Sequence, residues 1–464
     1  MKRVRSESAF LEGKSQAADS VRRGRVALIF LLVIVMSMLA AQAYGQEQPA
    51  AVQLNLQQAV QMALKQNPTV QIAVLNLAES RKESNIALSQ LLPQADFNVS
   101  DRAIRENIQA AIGLTFPGIP EAAGPFQVFQ TGATFSAPIF DLSLWRQWQG
   151  SKKNINGADA QQLSVREQIV LLVVSQYLTG LRASAEISAA QAEVDLAQAL
   201  FDQASDMEKH GAATGVDALR ANVELQNEKQ QLIIAQTNQK IALYGLTKLL
   251  NINPAEKISL SDQMTFFQTP AINVDESLAD AYQSRPEMKQ LLAQQGALKY
   301  QKAADSDSRL PALTFDGNYE QQGISTSTVI PTYVYEAGIS LPLFTGGRIH
   351  AQMARDDLEL QKISENLQDE KNEIALEVQT AAAQLESARN QVQVANLGDE
   401  LAKEEVQQSR DRFQAGVADN IEVVTAQNAL ARADENQIAA LYQYNQSRAD
   451  LAHAIGRIEL LYNK

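Results

Sequence analysis

Two stretches of this chain lack proline entirely, residues 139–253 and 343–464. Proline is excluded from helix interiors because it has no N–H and its ring clashes with the preceding turn. Gaps of more than 100 residues, rich in Ala, Gln, Leu and Glu, therefore permit helices far longer than the usual ~11–12 residues. Each gap opens after a matching phrase, Ser136-Ala137-Pro138-Ile139-Phe140 and Ser340-Leu341-Pro342-Leu343-Phe344. The sequence thus writes one long helical element twice.

The repetition extends to the rest of each half. Leu56 and Ala59 recur as Leu278 and Ala281, 222 residues on, and Pro68 and Leu92-Pro93 recur as Pro286 and Leu310-Pro311, 218 residues on. After the phrases above, Gly211, Ala221, Leu225 and Leu246 recur 205 residues on as Gly416, Ala426, Leu430 and Leu451. The change of offset places extra residues between Pro93 and Pro138. Pro117, Gly118, Pro120, Gly124 and Pro125 make that stretch read as a loop. Each half predicts a first helix (residues 56–91 and 276–309), two strands, and then a long hairpin.

The strands alternate. Leu313, Phe315, Gly317 and Tyr319 interleave with Thr314, Asp316, Asn318 and Glu320, and Tyr333, Tyr335, Ala337, Ile339 and Leu341 with Thr332, Val334, Glu336, Gly338 and Ser340. Period-2 alternation gives one apolar and one polar face, as a barrel wall between lipid and water or a half-buried soluble sheet requires. The hairpins carry 3,4-spaced seams. Val423, Ala426, Leu430, Ala433, Gln437, Ala440, Tyr444, Ser447, Leu451 and Ala454 match a 205-shifted seam from Ala218 to Leu249, in which Glu228 and Gln239 are the polar exceptions. This is a coiled-coil period. The preceding segment, residues 142–207, would extend to about 100 Å if unbroken; Gly150, Gly157 and Gly180 are its candidate interruptions.

The first 43 residues read as a secretory leader: Arg22, Arg23 and Arg25, a 14-residue apolar run at 26–39, then Ala41-Gln42-Ala43. Without a leader holding seven basic and three acidic residues, 33 basic and 50 acidic groups leave a formal charge of −17. Nucleic acid, which needs a basic surface, is not an expected partner. Cysteine is absent, so disulfides, thiol chemistry and an N-terminal lipid anchor are excluded. No second apolar run is long enough for a membrane helix, so insertion would be by strands. His210, His350 and His453 are too scattered for a metal site. No nucleotide loop, nucleophile elbow or zinc helix is present. Neither cofactor nor enzymatic activity is expected.

In their order, these features resemble the TolC-like outer membrane efflux protein family. The most specific phrases are 413–426, with its Gly-Val-Ala-x-x-Ile-Glu-Val-Val-x-Ala tip, and the paired Ser-x-Pro-x-Phe motifs. The resemblance implies a mainly α fold with a small β part. Long antiparallel hairpins would form a periplasmic α-barrel, and four strands per chain would join a homotrimeric 12-stranded barrel in outer-membrane lipid. The domain plan becomes leader 1–43, repeat one 44–254, an equatorial segment 255–275, repeat two 276–456 and an equatorial tail 457–464. The implied function is a passive exit duct for tripartite efflux or type I secretion, with a periplasmic adaptor and an inner-membrane pump as partners. A periplasmic coiled-coil adaptor or scaffold is the alternative, though two equivalent hairpins fit it poorly.

By that resemblance the hairpin turns are periplasmic tips. Asp217 and Glu422, each six residues after Gly211 or Gly416, stand at the family's acidic tip positions, with Phe413 and Asp419 beside them as gate candidates. Helix capping is the other reading of Asp217. Gly211, Gly215, Gly416, Val417 and Ala418 form the turns and the expected adaptor contact. Where a TolC lock uses an Arg and a Tyr at the second tip, Ala418 and Phe413 stand here; Asp419, Arg412 and Lys209 are the available substitutes.

Overall fold

The computed structural model describes residues 52–113, 117–118, 120–211, 214–254, 256–267, 272–415, 417–418 and 420–463. The expected leader lies outside them. Two compact units divide the chain. In the smaller, residues 1–53 and 253–259, Val52 N donates to Lys257 O at 2.9 Å, beginning the pairing of β1 (Val52–Leu54) with β4 (Ile258–Leu260). Everything below concerns the larger unit.

Each proline-free stretch is a helical hairpin. The first joins α4 (Leu142–Lys209, 68 residues) to α5 (Gly215–Leu250); the second joins α8 (Arg348–Gln414, 67 residues) to α9 (Asn420–Ala454). At 1.5 Å per residue, α4 and α8 are each about 100 Å long. The three glycines do not interrupt α4. Two of them admit close neighbours instead: a Cβ on Gly150 would lie 3.3 Å from Tyr300 Cβ, and one on Gly180 would lie 2.7 Å from Leu260 Cδ1.

The first helix of each half, expected as one piece, is two. These are α1 (Leu56–Gln66) and α2 (Pro68–Ser89) in the first half, and α6 (Val274–Ser284) and α7 (Pro286–Asp307) in the second. The residue before a proline is driven out of the helical region; Asn67 (ψ 126°) and Arg285 (ψ 124°) obey. Both side chains then do the same work. Asn67 Nδ2 donates to Leu249 O at 2.9 Å, and Arg285 Nη1 reaches Ala454 O at 3.4 Å. These acceptors are 205 residues apart and lie at the ends of α5 and α9, Leu249 next to last and Ala454 last. Beyond them Asn251 (φ 53°) and Gly456 (φ 74°) hold the same left-handed position, which glycine and asparagine tolerate best.

Four strands form one antiparallel sheet in the order β2 (Gln94–Asn107), β3 (Ala122–Phe140), β5 (Ala312–Gly323), β6 (Ile330–Ser340). The loop expected through Pro125 is shorter than its prolines suggest. A short helix α3 (Ile108–Ile112) precedes it, and β3 already begins at Ala122, with Ala123 opposite Glu106. Gly124 permits this, since a Cβ there would fall 2.4 Å from Ile104 O.

The hairpin core is built from small residues and valines. Ile374, Val378, Ala381, Leu385, Ala388 and Val392 on α8 pack with Ala440, Tyr444 and Leu451 on α9. The tail helix α10 (Ile458–Tyr462) docks on α4, where Glu459 pairs with Arg166 and Ile458 N donates to Glu167 at 3.0 Å. No described helix is long and apolar enough to cross a membrane.

Candidate functional site

Register sorts the sheet into two faces. Phe97, Ala133, Tyr319 and Tyr333 form one cross-strand row; Ala95, Phe135, Gly317 and Tyr335 form the next. On the opposite face lie Asn98, Gly132, Glu320 and Thr332, then Gln94, Ser136, Asp316 and Glu336. The apolar rows are linked by ring contacts: Phe135 to Phe315 at 5.7 Å and to Tyr335 at 5.9 Å, and Tyr335 to Tyr333 at 5.6 Å. Gly317 makes room for the Phe135 ring, whose Cζ lies 2.3 Å from where a Cβ would be. Yet this face stays open, with Phe97 72% and Tyr333 65% exposed. An uncovered aromatic face in a water-soluble sheet is unfavourable; in hydrocarbon it is the favourable side. The polar face is knit together, Gln130 donating to Glu320 across the strands.

At the hairpin ends, Asp206 O accepts the N–H of His210, and Gly211 follows with φ 73°, ending α4. Thr214 caps α5. Asp217 Oδ2 accepts from Thr214 N at 3.0 Å and from Thr214 Oγ1 at 2.6 Å, closing a capping box. Those hydrogen bonds, hydroxyl first, and Arg220 hold the Asp217 carboxyl below the usual carboxylate range. A side chain on Gly215 would collide with the Glu208 carboxylate, 2.9 Å away. On the second hairpin Glu422 lies in the first turn of α9 and forms an ion pair with Arg412 at 2.8 Å. Both acidic tip residues are therefore tied within the chain.

Phe413 is not displayed at the turn. It is 7% exposed and packs with Leu200, Met207 and Val423, joining α4 of one hairpin to α8 and α9 of the other. Val417 is exposed and Ala418 half-buried. Gly416 and Asp419 lie outside the described residues, as does the side chain of Asn420. Between the starts of α5 and α9 runs a groove of about 520 Å³, lined by exposed Val216, Leu219, Val223 and Ile421 with Arg220 and Glu224.

Sequence reasoning missed Thr214 as the cap; the signal was Thr-x-x-Asp before a helix. It also missed Asn67 and Arg285, whose partners lie 182 and 169 residues away. Among the described residues, no group of three or more His, Cys, Asp or Glu is arranged to hold a metal ion.

Known proteins share this architecture. The chain is 21% identical to the outer membrane protein TolC of Vibrio cholerae over 82% of its own length and 91% of TolC. It is 22% identical to the alkaline protease secretion protein AprF of Pseudomonas aeruginosa, covering 88% of this chain and 85% of AprF. The Campylobacter jejuni CmeC outer membrane channel superposes with a TM-score of 0.75 at 18% identity, covering 87% of this chain and 86% of CmeC. A sequence profile of the outer membrane efflux protein family matches residues 59–251 and 278–457, one match on each repeat. With most of its length so matched, the chain belongs to the outer membrane efflux protein family.

Proposed function

We propose that this protein is the outer-membrane exit duct of a tripartite efflux or type I secretion system, a homotrimer that conducts passively and catalyses nothing. One observation carries the reading. The same chain holds two hairpins built on helices of 68 and 67 residues and a four-stranded sheet with an uncovered aromatic face. The outer strands β2 and β6 would otherwise offer unpaired edges, which cannot persist in lipid. Three copies close them into a barrel of 12 strands, polar face inward.

The hairpin ends form the periplasmic tips. The apolar groove at Val216, Leu219, Val223 and Ile421 supports docking of an adaptor there, beside Gly211, Gly215, Val417 and Ala418, and the adaptor connects the duct to an inner-membrane pump. Asp217 and Glu422 contribute six carboxylates per trimer near the narrow end and favour cation entry. AprF, by its name a secretion protein, supports the secretion branch.

The test is the purified full chain in detergent and planar bilayers. Trimeric native mass, outer-membrane fractionation and cation-selective conductance are expected. A monomer that partitions with soluble periplasmic proteins would overturn the reading in favour of a scaffold.

A further inference from the structure

About midway along the hairpins, α4, α5 and α9 line a half-open cavity of about 650 Å³. Glu193 on α4 borders it, 7% exposed, with neither a hydrogen bond nor an ion pair among the described residues. A buried carboxylate without a partner is costly when ionised. Its surroundings make this worse. From α5 it faces Glu224 and Glu228, and from α9 Asp434, with Glu435 also on the cavity wall. Asp434 in turn lies against Asp399 of α8, whose Oδ1 is buried without a partner. Two carboxylates brought together with little water repel unless one of them holds a proton.

The nearby cations do not reach Glu193. Arg182 is engaged by Glu186 at 2.8 Å. Lys403 is engaged by Asp399 at 2.8 Å. Arg432, exposed on the cavity wall, makes no ion pair among the described residues. The cluster therefore spans both hairpins with an excess of negative charge.

The repeat supplies an internal comparison. Shifted by 205 residues, Glu193 and Glu228 correspond to Gly398 and Ala433. Those two residues line the corresponding cavity of the second hairpin, of about 740 Å³. The fold thus accepts small neutral residues at these positions, and acids there are not needed for the coiled-coil seam.

We propose that Glu193, Glu228 and the Asp399–Asp434 pair form a proton-loaded latch between the two hairpins, which pack together while the cluster is protonated and are pushed apart when it ionises. Burial, then the charges of Glu228, Asp434 and Glu224, push Glu193 up to about 7. Burial and the Asp399 carboxyl beside it push Asp434 up to about 6, and burial with Glu224 raises Glu228. All shifts share one sign. A carboxyl with a raised folded pKa binds its proton more tightly in the packed state, so its contribution to packing is full below the ordinary carboxylate pKa and is lost as pH rises from there to about 7. The latch concerns the packing of one chain's hairpins and holds whether or not the duct reading does.

The chain has no cysteine, so spin labels can be placed singly at exposed Gln230 on α5 and Gln393 on α8 of the full-length protein in detergent. Electron-spin distance measurements between pH 5.5 and 8.5 should show a short, narrow distribution at acid pH. It should become longer and broader at alkaline pH, with a midpoint near 7. Glu193→Gln should hold the short distance across the range, or move the midpoint up, because one of the charges that drives the hairpins apart is gone. Glu228→Gln should shift the midpoint in the same direction and serves as a second probe should the first variant fold poorly. A distance independent of pH in the unsubstituted protein overturns the latch, as does an unchanged midpoint in both variants.

Discussion

Removing the Arg285 guanidinium should be among the most damaging single changes outside the sheet. Arg285 is 5% exposed. Its Nε lies 3.0 Å from Glu287 and its Nη1 2.6 Å from Glu377, and it also reaches the last carbonyl of α9. Breaking a buried ion pair by truncating one member costs about 3–5 kcal/mol, since the other charge is stranded. Here both carboxylates keep some water, 29% and 39% exposed, so a loss near the bottom of that range, ~3 kcal/mol, is expected for Arg285→Ala. At roughly 2 °C or less per kcal/mol for a long chain, the apparent melting temperature should fall by about 5 °C. The assay is a thermal scan of the purified full-length protein at fixed rate, with Arg309→Ala as an exposed control. Burial pushes Glu287 up, but the Ser164 hydrogen bond and the Arg285 charge outweigh it and hold the carboxyl low. Its contribution is therefore full above the ordinary carboxylate pKa and lost as pH falls through the acid range, so the gap between wild type and variant should narrow below about pH 4. Arg285→Met combined with Glu287→Gln and Glu377→Gln should recover most of the loss. If Arg285→Ala melts together with Arg309→Ala, the guanidinium is not what fixes α7 to the end of α9.

Asp217→Ala should lose the capping box of α5, about 0.5–2 kcal/mol, and also the tip charge, whereas Asp217→Asn should retain most of the cap and lose only the charge. If both variants change cation selectivity in planar bilayers equally while only the first lowers the melting temperature, cap and charge are separable; unchanged selectivity in both removes Asp217 from the constriction. Phe413→Ala should leave a void between the hairpins and destabilise by about 3–5 kcal/mol, seen as faster limited proteolysis at the tip, and a wild-type digestion rate would refute this. Gly180→Val should force Leu260 aside, costing about 1–3 kcal/mol, and no change in thermal scans would show that α4 has slack there. An epitope inserted at Gly118 should be labelled on intact cells, and labelling only after permeabilisation would invert the strand topology.

Proline and glycine made the skeleton readable. Where they were absent, helix length followed, because nothing else in α4 or α8 breaks the hydrogen-bond ladder. The same residues misled where they were present. Pro68 and Pro286 were absorbed into single helices because the apolar pattern continues through them, yet a proline ring dictates the backbone of its predecessor whatever the pattern does. Pro125 was taken for a loop because it sits in a cluster of prolines and glycines, but it stands near the start of β3, where Gly124 lets the chain approach β2. The tip was legible as a turn, from Gly211 and Gly416, though the Thr-x-x-Asp spacing that caps α5 was overlooked. The tertiary role of Phe413 was not, because its partners Leu200 and Met207 belong to the other hairpin. Glu228 was visible as a polar break in a seam; its meaning required Glu193 and Asp434, which come near it only once the hairpins pack.

Asn67 and Arg285 show how the two halves have diverged without changing shape. Each follows the first short helix, precedes a proline, leaves the helical region, and reaches a carbonyl in the last turn of its own returning helix. A short amide does this in one repeat. In the other, a long guanidinium does it while also drawing in Glu287 and Glu377, so the junction of the second repeat is ionic where that of the first is neutral. Midway along the hairpins the asymmetry reverses, with Glu193 and Glu228 facing a cavity in the first repeat and Gly398 and Ala433 in the second. Pairing needs only side chains that fit the seam, so either residue set sustains the hairpin. What differs is the response to protons. The ionic junction loosens when its carboxylates are neutralised at low pH, and the acidic cavity loosens when its carboxylates ionise near neutrality. With opposite signs at two heights, the hairpins should be held most firmly in the mildly acidic range between those limits. A duct lined by two kinds of repeat can therefore respond to pH through the packing of its hairpins.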